Sequence, residues 1–535
     1  MPTTSEDQGQ WIDVLKEDRF YDLEYDDFIT TKLDAMPWVV IKEDPVGNVL
    51  SAAWEPLISL IPRFRYLTDF IYSCASEYPP SLARTLHQHH PSCRLDMRKV
   101  KFSPLIDPTR NPDEVELATS PCLHALAIAI NDVPLPRGDL SSDDVLHIMS
   151  GLAPNLKKVR VHQLAAGDEA FGPVRKVSVP ITHGPKLGAI TSLSLFNFTF
   201  NTEHIELFAL HTDLGKLQTL AFRPTYFALL KAARERLFPS LQRLGISGTI
   251  TLDQDPDPRI GSGASVFLES LNPLSTLMIT DNIVDEPLFN IILTRHGPSL
   301  RELRISTEKL IFSAEHIIQI RDSCPLLENL DIQIKRTQSD ARERRLYETL
   351  GTLPRLKKLT LNTFESLTLD DPEIPDPKDV EGTFSDFDRK PFLRRSDVCN
   401  AHARDILINR AVDENLMGSM WNIILNRQSS RSLESLRFIN TPMTDYVSAL
   451  EDPLRATAYY LPDMIRSYHV TAACHGGTRF EIRELRRVEW ENIKRRSSPI
   501  LNRPVKGIFN RVWPLEEGVS EDWRERWCSR PFDEE

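Results

Sequence analysis

Glycine is scarce in this sequence, with 21 residues in 535 against 38 prolines. It never gathers into a phosphate cradle, because neither G-x-G-x-x-G nor G-x-x-x-x-G-K-[ST] occurs; this argues against nucleotide enzymes of the Rossmann and P-loop kinds. Cysteine is sparse as well. The seven (Cys74, Cys93, Cys122, Cys324, Cys399, Cys474 and Cys528) are widely spaced with no C-x-x-C, which argues against a zinc ribbon and against a disulfide framework. Missing too are a basic stretch leading into an apolar one near Met1, and any run approaching the roughly 18 apolar residues of a membrane span. The expectation is an intracellular protein, cytoplasmic or nuclear, without a membrane partner, in which the sequon at Asn197 carries no meaning. No G-x-S-x-G, H-E-x-x-H or EF-hand pattern is present, so no catalytic residue, metal, cofactor or small-molecule substrate is expected.

What is present points to a folded chain. A net charge of −12, with 26% charged and 41% hydrophobic residues, suits a globular protein rather than a disordered one. At ~100–200 residues per domain, the length allows two to four domains or one long solenoid.

Self-similarity decides between these. Segments starting at Pro121, Pro154, Pro239, Pro298, Pro325 and Pro354 share P-x-L-x-x-[LV]-x-[LIV]. Four more keep the apolar spacing without the proline: Ile190/Leu193/Leu195, Leu217/Leu220/Phe222, Leu274/Leu277/Ile279 and Leu433/Leu436/Phe438. Measured between middle apolar residues, the steps from Leu126 to Leu359 run from 24 to 34 residues, and the last step, to Leu436, is 77. Alternation over the last four positions of each segment gives a short strand with one buried face. The intervals read as helices: one capped at Ser142, one after Ser313 burying Ile317, Ile318 and Ile320, and others near 226–237, 286–296, 340–350 and 411–427. A strand and a helix every ~28 residues is the pattern of leucine-rich repeats, an α/β solenoid with one short parallel strand per repeat. A doubly wound α/β domain also alternates strand and helix, but its strands do not repeat one fixed register. Upstream, Leu67 and Leu95 lie 28 apart and Leu95 to Leu126 is 31, so residues 51–120 read as diverged N-terminal repeats.

The flanks differ in charge. Residues 1–50 form an acidic, partly helical segment, with 12 acidic and 4 basic side chains in 1–48. The main solenoid spans 121–365. An acidic, proline-containing insertion fills 366–400, a last repeat 401–445, and an irregular cap 446–535, whose stretch 479–513 carries ten basic and four acidic residues before a Trp-rich end.

Several stretches resemble the F-box/leucine-rich-repeat-like proteins of filamentous ascomycete fungi. They are Trp54-Glu-Pro-Leu57 with Ile61-Pro62, Pro79-Pro80-Ser-Leu82, His90-Pro91-Ser-Cys93-Arg94-Leu95, Ala118-Thr-Ser-Pro121-Cys122-Leu123, Val412-Asp413-Glu414 with Trp421, and Val512-Trp513-Pro514 with Trp523 and Trp527. The resemblance covers roughly residues 50–535. It implies a substrate receptor in which an F-box holds a Skp-type adaptor of a cullin ubiquitin ligase while the repeats hold the target. An F-box usually opens with a Leu-Pro-x-Glu-like start, and the first 60 residues show none; Met36-Pro37-Trp38 is a poor substitute.

Other constellations have plainer explanations. His87, His89, His90 and Cys93 match no zinc spacing, so packing or capping is expected of them. Cys474-His475 lacks a nameable orienting group and reads as loop. The basic 479–513 stretch leaves nucleic-acid association as an alternative, but phosphate binding wants a sustained positive face and the chain is acidic overall. The expected function is non-catalytic protein binding, as a ligase receptor or as a free-standing scaffold. In such a horseshoe, the residues flanking each middle apolar position face the concave side. The candidate contacts for a protein partner are Lys158, Arg160, His162, Phe196, Arg223, Arg243, Arg304, Asn329, Asp331, Lys358, Asn362 and Arg437.

Overall fold

A computed structural model describes residues 51–72, 78–100, 112–130, 149, 153–163, 188–247, 259–280, 283–307, 309–363, 385–392, 399–440, 466–473, 479–485, 503–515 and 526–532. The acidic segment 1–50, the Ser142 helix and the proline-rich stretch 370–384 lie outside these residues. The chain divides into two compact units, residues 1–251 with 255–274, and residues 252–254 with 275–535.

The first unit carries seven strands: β1 (Asp69–Tyr72), β2 (Arg94–Val100), β3 (Leu123–Ile130), β4 (Lys158–Gln163), β5 (Ser192–Phe200), β6 (Thr219–Pro224) and β7 (Arg243–Ile246). Each pairs with its sequence neighbours, and every pairing is parallel. Helix α1 (Ser51–Leu60) precedes β1; parallel neighbours need a crossover, and α2 (Pro80–His89), α3 (Pro112–Ala118), α4 (Thr202–His211) and α5 (Tyr226–Glu235) lie within four of them, with α6 (Ile260–Ser270) following β7. The repeat spacing explains the register. Leu126, Val159, Leu193, Leu220 and Leu244 stand side by side on five adjacent strands, each almost fully buried. The repeat prolines serve as anchors as well as breakers. Asn155 Nδ2 donates to the Pro121 carbonyl at 2.8 Å, and Asn272 Nδ2 to the Pro239 carbonyl at 2.8 Å, tying each repeat to an earlier one.

The upstream register differs from the expected one. β1 centres on Phe70, not Leu67, because Phe70 pairs with Leu95. Leu95 pairs with Leu123, and Met97 rather than Leu95 pairs with Leu126. His124 is skipped between Leu123 and Ala125, a bulge that moves Asp96 and Met97 by one place, and a second irregularity between Met97 and Val100 sets Val100 opposite Ile128.

The second unit carries β8 (Thr276–Thr280), β9 (Glu302–Ser306), β10 (Asn329–Ile334), β11 (Lys358–Thr363), β12 (Ser435–Asn440), β13 (Ser467–Ala472) and β14 (Phe480–Leu485). Strands β8 to β12 are parallel and stack Leu277, Leu303, Leu330, Leu359 and Leu436 in one buried row. Helices α7 (Glu286–His296), α8 (Ala314–Ser323) and α9 (Ala341–Leu350) fall where the spacing predicts them. The expected helix near 411–427 starts instead at Glu414: α11 (Glu414–Arg427) is capped by Asp413, whose Oδ1 accepts the Leu416 N–H at 2.9 Å, and a separate α10 (Asn400–Arg410) precedes it.

The expected irregular cap is in part a regular extension of the sheet. β13 and β14 continue it as antiparallel strands, Leu436 pairing with Val470 and Val470 with Ile482. An antiparallel hairpin carries no L-x-x-L-x-L register, so a search for that register passes over it. Helix α12 (Arg503–Val512) then packs on α10, and Phe392, Ile406, Leu407, Ile508, Phe509, Trp513 and Trp527 form one core with the intervening alanines.

Candidate functional site

Side chains alternate along each strand, so the face opposite the apolar rows carries the variable residues, and lateral pairing lines these up in rows. In the first unit one row reads Ala125, Lys158, Ser192, Thr219, Arg243, and the next Ala127, Arg160, Ser194, Ala221, Gly245. Of the candidates, Lys158 and Arg160 therefore share β4, and Arg243 shares the Lys158 row. Arg223 lies beyond a register shift and pairs with Thr199. His162 and Phe196 pair in backbone register on β4 and β5, and their side chains lie outside the description.

The charges at the two ends of this unit are arranged differently. On β1 and β2 cations meet acids: Arg94 Nε lies 2.7 Å from Asp69 Oδ1, and Arg98 Nη2 3.1 Å from Asp96 Oδ2. The Arg94 bond holds the Asp69 carboxyl below its ordinary value. Across β3 to β7 the variable positions hold Lys158, Arg160, Arg223 and Arg243 and no acid. Burial first, then Arg94, Lys158 and Lys157, lowers the pKa of His124. Ser194, 1% exposed, sits beside Arg160 with its hydroxyl meeting no hydrogen-bond partner among the described residues.

In the second unit one row runs Met278, Arg304, Asp331, Thr360, Arg437, His469. Arg304 Nε is 2.7 Å from Asp331 Oδ2, and Asn362 Nδ2 donates to Asp331 Oδ1. Asp331 is buried, and burial pushes its carboxyl above the ordinary value against the opposing pull of Arg304, Asn362 and Arg437. These three candidates thus form one contact cluster, while Arg437 stands two strands from Asp331 with Thr360 between. Asn329 and Lys358 are direct lateral neighbours on β10 and β11. Two residues of this face escaped the sequence reading: His469, opposite Arg437, and Arg483, opposite His469. The alternation in Ser467–Ala472 and Phe480–Leu485 was the available signal.

Several of the described histidines and cysteines are taken up by packing and capping. His87 Nε2 lies 2.6 Å from Ser120 Oγ, and His90 Nε2 3.0 Å from the Ile61 carbonyl. Burial pushes the Cys93 thiol up to about 11 and the Cys324 thiol up to about 12, so both stay protonated and weakly nucleophilic near neutrality. Cys399 Sγ and His402 Nδ1 approach to 3.4 Å, but that Nδ1 faces the Cys399 backbone N–H, the geometry of a helix cap. Asn201/His204 and Ser313/His316 open α4 and α8 in the same way. Among the described residues, no three His, Cys, Asp or Glu side chains gather where a metal ion could be held, and no helix is long and apolar enough to cross a membrane. Cys474-His475 lies outside the described residues.

A buried ionic network sits apart from the variable face. Arg336 Nε donates to Glu343 Oε1 at 2.9 Å, with both side chains at most 1% exposed. The remaining guanidinium nitrogens reach the carbonyls of Asn409 (2.8 Å) and Ala411 (3.1 Å) and the Ser339 hydroxyl (3.1 Å). Glu343 Oε2 accepts the backbone N–H of Thr337 and of Ser339, bracketing Gln338 and Ser339, whose φ values of 61° and 65° are left-handed. Buried donors satisfied in this way define a structural lock.

No protein-family model matches the sequence, and no curated protein matches it.

Proposed function

We propose that the chain is a non-catalytic leucine-rich-repeat scaffold that binds another protein through the variable face of its strands. The observation that carries this reading is the lateral register. Residues about 27 positions apart in sequence, such as Arg304, Asp331 and Thr360, stand side by side, so one surface is assembled from many repeats. Its composition of Arg, Lys, Asn, Ser and Thr suits a protein or peptide, for which a few arginine anchors carry most of the affinity. Capping and packing take up His87, His90, Cys93, Cys324, His204, His316 and the Cys399/His402 pair. Affinity purification of the full chain, with identification of what it captures, tests the reading. Reversal of Arg160 to Glu in the first unit, or of Arg304 and Arg437 in the second, should abolish capture of a partner held by that unit's variable face, and a partner retained by both variants would remove the variable face as the binding surface.

A second reading is that the scaffold serves as a substrate receptor of a cullin ubiquitin ligase. One observation favours it: Leu60, Phe64 and Tyr66, at the end of α1 and just after it, are exposed, Tyr66 at 90%. Exposed apolar side chains close together in sequence suit a surface that an adaptor would cover. Co-purification with a Skp-type adaptor supports this role, and its absence with full-length protein removes the role and leaves the scaffold.

A further inference from the structure

We infer that Leu60, Phe64 and Tyr66, with Arg63 and Arg65 among them, form a docking patch for an extended segment that alternates acidic and apolar side chains, and that its occupant is the chain's own stretch 21–26. The inference stands apart from both readings above. Where an adaptor binds this patch, the stretch competes with it.

The end repeat of a solenoid needs a polar outer face, and β1, which pairs only with β2, lies at such an end. Its surroundings are the reverse of polar. Leu60, Phe64, Tyr66 and Ile71 are all exposed, and exposed apolar side chains gathered in this way mark an interaction site. Residues 62–66 are exposed throughout. Arg63 and Arg65 make no ion pair or hydrogen bond among the described residues, unlike Arg94, which Asp69 holds at 2.7 Å. Phe64 is extended, with φ −74° and ψ 124°, so its two arginine neighbours share one side of the chain and its ring takes the other.

Arg63-Phe64-Arg65-Tyr66 thus alternates cation and ring. Residues 1–50 lie outside the described residues, and within them Tyr21-Asp22-Leu23-Glu24-Tyr25-Asp26 alternates apolar and acidic side chains with the same period of two. Asp22 and Glu24 in an extended chain are roughly 6.7 Å apart, the same spacing as Arg63 and Arg65. Laid side by side, the acids meet both cations while Leu23 and Tyr25 cover Phe64 and Tyr66. The connection is long enough. Leu60 lies about 14 Å along α1 from Ser51, and residues 27–50 span roughly 25 Å root-mean-square as a coil. Docking within one chain therefore proceeds at an effective concentration on the order of millimolar. A second copy is disfavoured, because a two-fold contact on this patch brings the same arginines together from both sides.

The test introduces Tyr66→p-benzoylphenylalanine, a photo-crosslinking side chain, into the full chain and maps its products by mass spectrometry. Cross-links should fall on residues 18–30 of the same chain, at a yield unchanged by dilution. R63E/R65E should lower that yield about tenfold at low salt, as expected when two exposed ion pairs become repulsions, and D22R/E24R should lower it equally. Added salt should shrink both losses. Combining all four substitutions should restore the parent yield, which damage to the fold would not do. Cross-links to another part of the chain, to a second copy or to nothing overturn the inference. So does a yield that either double variant leaves unchanged, or that the fourfold variant fails to restore. The two readings above fail on capture experiments, which this map does not use.

Discussion

Replacing Arg336 by Met would remove a cation that Glu343 cannot do without. In the parent, four contacts hold the guanidinium, and the carboxylate accepts from Arg336, Tyr347 Oη (2.9 Å) and two backbone N–H groups. After the change the carboxylate keeps its neutral donors but loses its countercharge at essentially zero exposure, and the carbonyls of Asn409 and Ala411 lose a donor. Removing one member of such a pair costs about 3–5 kcal/mol. Tyr347 shares the penalty, since burial and the Glu343 charge already hold its hydroxyl far above its ordinary pKa. E343Q strands the guanidinium instead, which keeps the carbonyls of Asn409 and Ala411 and the Ser339 hydroxyl, so a cost near the lower end of that range, about 3 kcal/mol, is expected. R336M/E343Q should cost less than the two singles together, with a coupling of about 1–3 kcal/mol. Urea denaturation followed by tryptophan fluorescence reads this out, because Trp421, Trp513 and Trp527 are buried in the unit concerned. A loss under about 1 kcal/mol for R336M, or strict additivity in the double variant, would refute the idea that this ion pair acts as one lock.

Two further outcomes are expected. His204 caps α4 through Nδ1, which accepts the Asn201 N–H at 3.2 Å, and burial lowers its pKa from 6.5 to about 4. Between those values the unfolded chain binds a proton that the folded chain refuses, so its contribution is complete above about pH 6.5 and is lost as pH falls towards 4. Screening at this partly exposed site reduces that to about 1 kcal/mol, and H204Q should flatten this part of the stability-versus-pH curve; an unchanged slope counts against it. Gly351 closes α9 where an added Cβ would lie 2.3 Å from the Ile424 carbonyl and 2.7 Å from Arg427 Cβ. G351A should therefore cost about 1–3 kcal/mol in denaturant midpoint measurements, because backbone on α11 has to move, and a neutral result would mean the helices can slide apart freely.

The apolar rows were legible because their spacing is fixed by a local rule, one buried residue at the same place in each repeat. Leu126, Leu193 and Leu330 could be named from sequence and pair as named. Lateral slips could not be read. The bulge at His124 depends on how two strands settle against each other, and so do the pairings that set Leu95 against Phe70 and Leu123 where the spacing suggested Leu67 and Leu126. Helix α10 was missed because Ala401, Ala403, Ile406, Leu407 and Ile408 are buried around more than one side, leaving no single apolar stripe. At the candidate site, alternation identified which residues share a face. It carried no information about depth: Asp331 and Ser194 look like ordinary variable residues until the neighbouring strands bury them.

The network around Arg336 is also a matter of timing. Ser339 Oγ donates to the Arg530 carbonyl at 3.0 Å, Trp527 Nε1 to the Leu407 carbonyl at 3.2 Å, and the Ser529 N–H and hydroxyl to Asp413 at 2.8 and 2.7 Å. Each bond spans more than a hundred residues. During synthesis, strands β8 to β12 can pair as they leave the ribosome, each against the one before it. The floor beneath α10 stays open to water until residues 527–530 emerge and plug it. A chain ending before Trp527 keeps the residues that pair β8 to β12 but loses the donors to the Leu407 carbonyl and to Asp413.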